Sequence, residues 1–237
     1  MINESEHDQQ QLLDIKETKE FATSIPGIFT IGHSTHSIEQ FIALLNCYQI
    51  NVVVDVRSSP FSRYTPQFNR DALKASLSSA EIRYEFLGRE LGGRPSDSWC
   101  YVDRKVSYER LSQTELFQSG VEQLLASVNT GQRIALMCSE GDPLACHRTV
   151  LIAPKLEAGG VPVSHITSDG GCESHERLML TLLNRFHMPT VNLLQSTEDL
   201  IREALVKQEK RMAYSLPHSI NNHGQGAMSA SKEGEIL

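Results

Sequence analysis

No apolar run in this chain reaches the roughly 18–20 residues that a membrane-spanning helix needs. The opening Met1-Ile2-Asn3-Glu4-Ser5-Glu6 has neither the basic nor the apolar stretch of a secretory signal. The expected location is therefore the cytoplasm, with no membrane partner. An excess of basic charge is also missing: 22 Lys+Arg against 29 Asp+Glu leave a formal net charge of -7. That is the wrong sign for general attraction to phosphates, so nucleic acid is left to a local basic pocket. Cysteines are few and odd in number, Cys47, Cys100, Cys138, Cys146 and Cys172, which argues against a disulfide framework and for reduced thiols. No internal repeat is present. What remains is 237 residues, 40% hydrophobic and 22% charged, the balance of a globular chain that buries a sizeable core.

Four stretches follow from composition. Residues 1–24 are polar, with the run Gln9-Gln10-Gln11, and read as a flexible arm. Residues 25–190 alternate strand-like and helix-like patterns. Residues 191–216 form a helical extension in which Glu198 precedes Arg202 and Glu203 precedes Lys207 at i,i+4. Residues 217–237 are small and polar, as in a disordered tail.

Within 25–190, Ile28 to Ile31 reads as a strand, and Ser37 caps a helix carrying Phe41, Ile42, Leu44 and Leu45. Cys47 continues that apolar face and is expected to be inert. The β-branched run Val52 to Val56 precedes a Pro-rich loop and a helix over Asp71–Leu77. Ile82 to Leu87 alternates, and Phe117 to Val128 is striped for a helix. Ile134 to Cys138 is strand-like, Val150 to Glu157 helical, and Val161 to Ile166 strand-like again. This order predicts a single three-layer α/β domain, Rossmann-like, around a mainly parallel sheet of roughly five strands.

In such sheets, ligands bind beyond the carboxyl ends of the strands. The residues there are His33 after the first strand, Asp55, Arg57 and Ser58 after the second, Cys138 and Glu140 after the fourth, and His165 at the fifth. Each has an ordinary use: a loop hydrogen bond for His33, a cap for Asp55, ion pairs for Arg57 and Arg63, core packing for Cys138. Four strand ends that converge on such residues favour a common site.

The densest segment is Cys138-Ser139-Glu140-Gly141-Asp142-Pro143-Leu144-Ala145-Cys146-His147-Arg148. Strand, Gly-containing loop and helix start together suit an anion and lower a thiol's pKa, with His147 as base. The same residues admit a metal reading, Cys138, Cys146 and His147 with His33 or His165. Seven residues between the cysteines exceed the usual two to four of structural zinc sites.

Ile31-Gly32-His33-Ser34, Val54-Asp55-Val56-Arg57-Ser58-Ser59-Pro60, Ser62-Arg63-Tyr64-Thr65-Pro66-Gln67-Phe68, Leu91-Gly92-Gly93-Arg94 and Met137-Cys138-Ser139-Glu140 with Cys146-His147-Arg148 together closely resemble the Domain of Unknown Function 488 family. The likeness spans about 28–187 and implies a compact α/β domain with these segments around one site, without naming a reaction. A second resemblance is to rhodanese-type sulfurtransferases, through Asp55-Val56-Arg57, Cys138 and Asp169-Gly170-Gly171. It departs where that loop reaches an Arg about five residues after the Cys, because Arg148 comes ten after Cys138.

The expectation is an enzyme that binds a phosphate, nucleotide or sulfur-containing anion. Cys138, His33, His147, Asp55 and Glu140 are assigned to chemistry, and Arg57, Ser58, Arg63, Arg148 and His165 to binding. No cofactor is expected, and the partner is a small anionic ligand or nucleotide. The alternatives are a non-catalytic nucleotide or nucleic-acid-end binding module and a Cys/His metal-binding protein.

Overall fold

A computed structural model describes residues 27–128, 130–190 and 195–217. The expected arm over 1–24 and the tail beyond 217 lie outside them. Five strands are parallel neighbours, β1 (Ile28–Gly32), β2 (Val52–Asp55), β3 (Arg83–Phe86), β6 (Ile134–Cys138) and β7 (Val163–Ile166). A sixth, β8 (Cys172–Ser174), adds antiparallel to β7, giving the order β3-β2-β6-β1-β7-β8. The sheet thus exceeds the expected five strands by a hairpin. Its turn contains Gly170 at φ 89, a conformation glycine adopts without penalty. The Asp169-Gly170-Gly171 segment is this turn.

Strand parity divides the residues between two faces. Ile28, Val52, Val54, Ile134, Leu136 and Cys138 share one core cluster with Leu111 of α3 (Tyr108–Ser112), Phe117 and Leu124 of α4 (Glu115–Val128), and Leu156 of α5 (Ala153–Ala158). Phe29, Ile31, Val53, Ala135 and Met137 share the other with α1 (Ile38–Cys47) and α2 (Arg70–Ser79). Ser37 caps α1 reciprocally with Gln40, as its spacing predicts. Cys47, expected on the apolar face, is exposed. Phe41 and Leu45 point inward at i,i+4, and two further residues turn the chain about 200°.

The helix expected over Val150–Glu157 begins earlier, as a π-helical stretch Arg148–Ile152 that continues into α5. α6 (His175–Arg185) and α7 (Thr197–Met212) pack through Leu178, Leu182, Leu183, Leu200 and Ala204, with Leu144 between them. In α7, Lys207 pairs with Glu203 as the spacing predicts, whereas Arg202 takes Asp199 rather than Glu198. Beyond α7 the chain returns to a small ribbon, β4 (Tyr101–Val102) with β5 (Lys105–Val106), through an antiparallel bridge between Ser215 and Lys105. Among the described residues, no helix is long and apolar enough to cross a membrane.

Candidate functional site

The site builds from three strand ends. Gly32 ends β1 beside Cys138, and a Cβ there would lie 1.8 Å from the Glu140 carbonyl oxygen and 3.2 Å from Arg148 Nη2. Only glycine lets the loop after β6 approach so closely. That loop leads into a tight turn, Pro143–Ala145, whose Leu144 carbonyl accepts from Gln208 Nε2 at 2.8 Å. The extension helix therefore pins the segment that returns Cys146 beneath Cys138.

The two thiols meet one carboxylate and one imidazole. Cys138 Sγ donates to Glu140 Oε2 at 2.9 Å, and Cys146 Sγ to the same oxygen at 3.0 Å. His147 Nδ1 lies 3.7 Å from both sulfurs, and its Nε2–H donates to the Val56 carbonyl at 3.1 Å, which leaves Nδ1 turned toward them. Burial raises Cys146, but the Cys138 hydrogen bond and the Arg148 and His147 charges outweigh it and hold this thiol well below the usual range. Cys138 is raised, first by its hydrogen bond to Cys146 and then by burial. Burial alone lowers His147, and the neighbouring Cys146 charge reverses that. Glu140 is raised by burial and by Cys146. Thiolate character is thus favoured at Cys146 over Cys138.

On the opposite face, Asp55 receives Arg57 in two bonds, Nε at 2.9 Å and Nη2 at 2.7 Å, and the Tyr84 hydroxyl at 2.9 Å. Arg57 Nη2 also donates to the Phe68 carbonyl at 2.8 Å, and Nη1 lies 3.3 Å from His33 Nε2. His33 stacks on Phe68 with ring centroids 4.3 Å apart. Burial and the Arg57 charge lower its pKa to about 4, so the ring is neutral near pH 7.

Between the faces opens a cavity of about 400 Å³, lined by Arg57, Ser58, Tyr108, Cys138, Glu140 and His147, with Phe61, Arg94 and Tyr214 also contributing. Of the residues expected at the site, the structure brings Arg57, Ser58, Cys138, Glu140 and His147 to this cavity. Asp55 and His33 stand behind Arg57. Arg63, expected to bind the anion, is exposed and stacks on Tyr64 instead. Arg148, also expected there, is sealed: its Nε donates to Thr30 Oγ1 at 3.2 Å and its Nη1 to the Glu140 carbonyl at 2.8 Å. His165 is sealed as well, between Thr30 Oγ1 at 2.9 Å and His175 Nδ1 at 3.1 Å. Tyr108, Arg94 and Tyr214 are not among the assigned site residues, although Arg94 lies in the Leu91-Gly92-Gly93-Arg94 segment that carries the family resemblance. Arg94 carried a signal, because its Gly92-Gly93-Arg94 neighbourhood is a loop punctuated by glycine, whereas Tyr108 and Tyr214 carried none.

Fold and site together define an α/β protein with a strand-end cavity lined by a thiol, an imidazole and a carboxylate, with a second thiol buried behind them. Residues 37–153 match the family model described as Domain of unknown function DUF488, and the chain belongs to that family. Neither the curated proteins nor the solved structures gave a match.

Proposed function

We propose that the chain is an enzyme that holds a small ligand bearing an anionic group in this cavity and acts on it through the Cys138–Glu140–Cys146–His147 cluster. The observation that carries the reading is the convergence of two buried thiols on one carboxylate, with a histidine facing both sulfurs, at a cavity whose other polar lining can donate hydrogen bonds. Arg57, Ser58, Arg94 and Tyr108 offer hydrogen bonds to an anion, while Glu140 is the carboxylate among the lining residues. Arg57 is oriented by Asp55, so its fork is fixed before a ligand arrives. His147 sits within reach of both sulfurs to accept or return a proton, and Glu140 does the same from the other side.

Brief iodoacetamide treatment of reduced, chelator-treated protein tests this by mass spectrometry, in a Cys47→Ser background that removes the exposed thiol. Modification at Cys138 or Cys146 ahead of Cys100 and Cys172, with protection by inorganic phosphate or sulfate, is the expected result. Cys138→Ser should abolish turnover and leave phosphate affinity nearly intact. Phosphate binding without preferential thiol reactivity would make the cavity that of a binding module instead.

A further inference from the structure

We infer that Cys138, Cys146 and His147 form a binding site for one zinc ion, with a fourth coordination position facing the cavity. This deepens the preceding reading, because it names what the cluster holds.

The argument begins with distances. Zinc takes sulfur at about 2.3 Å and nitrogen at about 2.0–2.1 Å, and tetrahedral angles then separate sulfur from nitrogen by about 3.6 Å. His147 Nδ1 is 3.7 Å from Cys138 Sγ and 3.7 Å from Cys146 Sγ. All three ligand atoms lie within 4.8 Å of one another. A thiol–imidazole hydrogen bond needs one such distance. Two equal ones are what a shared central ion demands.

The surroundings agree. His147 Nε2 is committed to the Val56 carbonyl, the contact that fixes a metal-binding histidine's tautomer and ring orientation. Both cysteines are almost wholly buried, and Glu140 Oε2 lies within hydrogen-bond distance of each sulfur. Three groups that can carry negative charge thus meet in a buried place, and a divalent cation balances the two thiolates as their protons leave to solvent. Two sulfurs and an imidazole suit zinc rather than magnesium or calcium, which prefer oxygen ligands. The wide cysteine spacing counts against a structural zinc knuckle only. Here the turn at Pro143–Ala145 folds the intervening loop back, and the two ligands need not share one knuckle. Three protein ligands with an open side are the pattern of catalytic rather than structural zinc, and Cys138 and His147 both line the cavity. A zinc ion so placed lowers the pKa of a coordinated water and polarises a bound oxygen. Glu140 then stands beside it to take the water's proton, and Arg57 and Arg94 hold the anionic end of the ligand.

The test uses the full chain, reduced and stripped with EDTA. It is titrated with zinc chloride against a competing colorimetric chelator, and with cobalt chloride while absorption is recorded. One equivalent should bind, and cobalt should give a thiolate charge-transfer band in the near ultraviolet with the intense visible bands of a tetrahedral ion. Cys138→Ser and Cys146→Ser should each weaken zinc by about 100-fold or more, and Cys47→Ser should change nothing. Absence of the cobalt bands in the unmodified protein overturns the site, whether or not a variant folds. So does zinc uptake that survives both cluster variants and vanishes with Cys47→Ser. Alkylation separates the two readings. Cluster thiols protected until EDTA is added support the metal, and thiols equally reactive with and without EDTA remove the metal but leave the reactive centre. Thiols inert in both conditions, in a protein that binds cobalt, keep the metal and remove the thiol reactivity.

Discussion

Two polar clusters flank the end of β1, and one opens to a cavity while the other is sealed. The open one contains Arg57, Cys138, Glu140 and His147; the sealed one contains Thr30, Arg148, Thr149, His165 and His175. Both draw on histidine and arginine, and both lie at parallel strands of one sheet. What separates them is level along the strand. Cys138 pairs with Gly32, the last residue of β1, whereas His165 pairs with Thr30, two residues earlier and about 6.6 Å deeper. Cys138 and His165 occupy the same face by parity, but only Cys138 reaches the edge. The sealed cluster serves the open one from behind: Arg148 props the Glu140 carbonyl and places positive charge near Cys146. Residue type alone therefore does not nominate a site.

The largest effect should come from the open side. Asp55→Ala removes both bonds to a guanidinium that is 5% exposed, leaves it buried and unpaired, and takes the acceptor of Tyr84 as well. Breaking one partner out of a buried ion pair costs about 3–5 kcal/mol, which urea unfolding monitored by circular dichroism will show as a lower midpoint at constant slope. A loss below about 1 kcal/mol, the worth of an exposed pair, would mean that Arg57 relaxes toward solvent and that its orientation is not fixed by Asp55.

A smaller effect belongs to the sealed side and depends on pH. Burial lowers His175 from 6.5 to about 4, and His165 is lowered well below 6.5 by burial, then by His175 and Arg148. Between those values the unfolded chain binds protons that the folded chain refuses, so stability is full above about pH 6.5 and declines as pH falls toward 4. For His175 the decline should be about 2 kcal/mol by pH 5, with His165 adding to it. His175→Gln removes one titrating ring and should make the curve shallower. An unchanged curve would show that the pair is hydrated and the cluster is not sealed.

Much of the fold was legible because its signals are local. Ser37 marks the start of α1, and the β-branched run marks β2. The segment from Cys138 to Arg148 was legible as the densest part of the candidate site, since reactive residue types crowd it. What escaped depends on contacts distant in sequence. Tyr214 comes to the cavity only because Ser215 bridges to Lys105, and no pattern near residue 214 encodes that. Arg148 reads as an anion binder by type, yet the close approach allowed at Gly32 turns it inward. β8 was missed because three residues are too few to show a period.

The smallest effect sharpens the boundary of the open cluster, and it separates two arginines that look alike in sequence. Arg63 is exposed, its Nη2 donates to the Tyr64 hydroxyl at 2.8 Å, and its guanidinium lies 4.9 Å from the centre of that exposed ring. Arg94 lines the cavity and stacks 4.7 Å over Tyr214. Arg63→Ala removes a solvent-screened contact and should change stability by less than about 0.5 kcal/mol, with phosphate affinity unaltered. Arg94→Ala, with similar exposure but a place at the cavity, should weaken inorganic phosphate about two- to fivefold in a calorimetric titration at low salt. The ratio between the two variants is the informative quantity, because any general loss of positive charge lowers both equally. Equal losses would mean that the loop carrying Phe61, Arg63 and Tyr64 swings over the cavity when an anion binds, which would restore to Arg63 the role its sequence suggests.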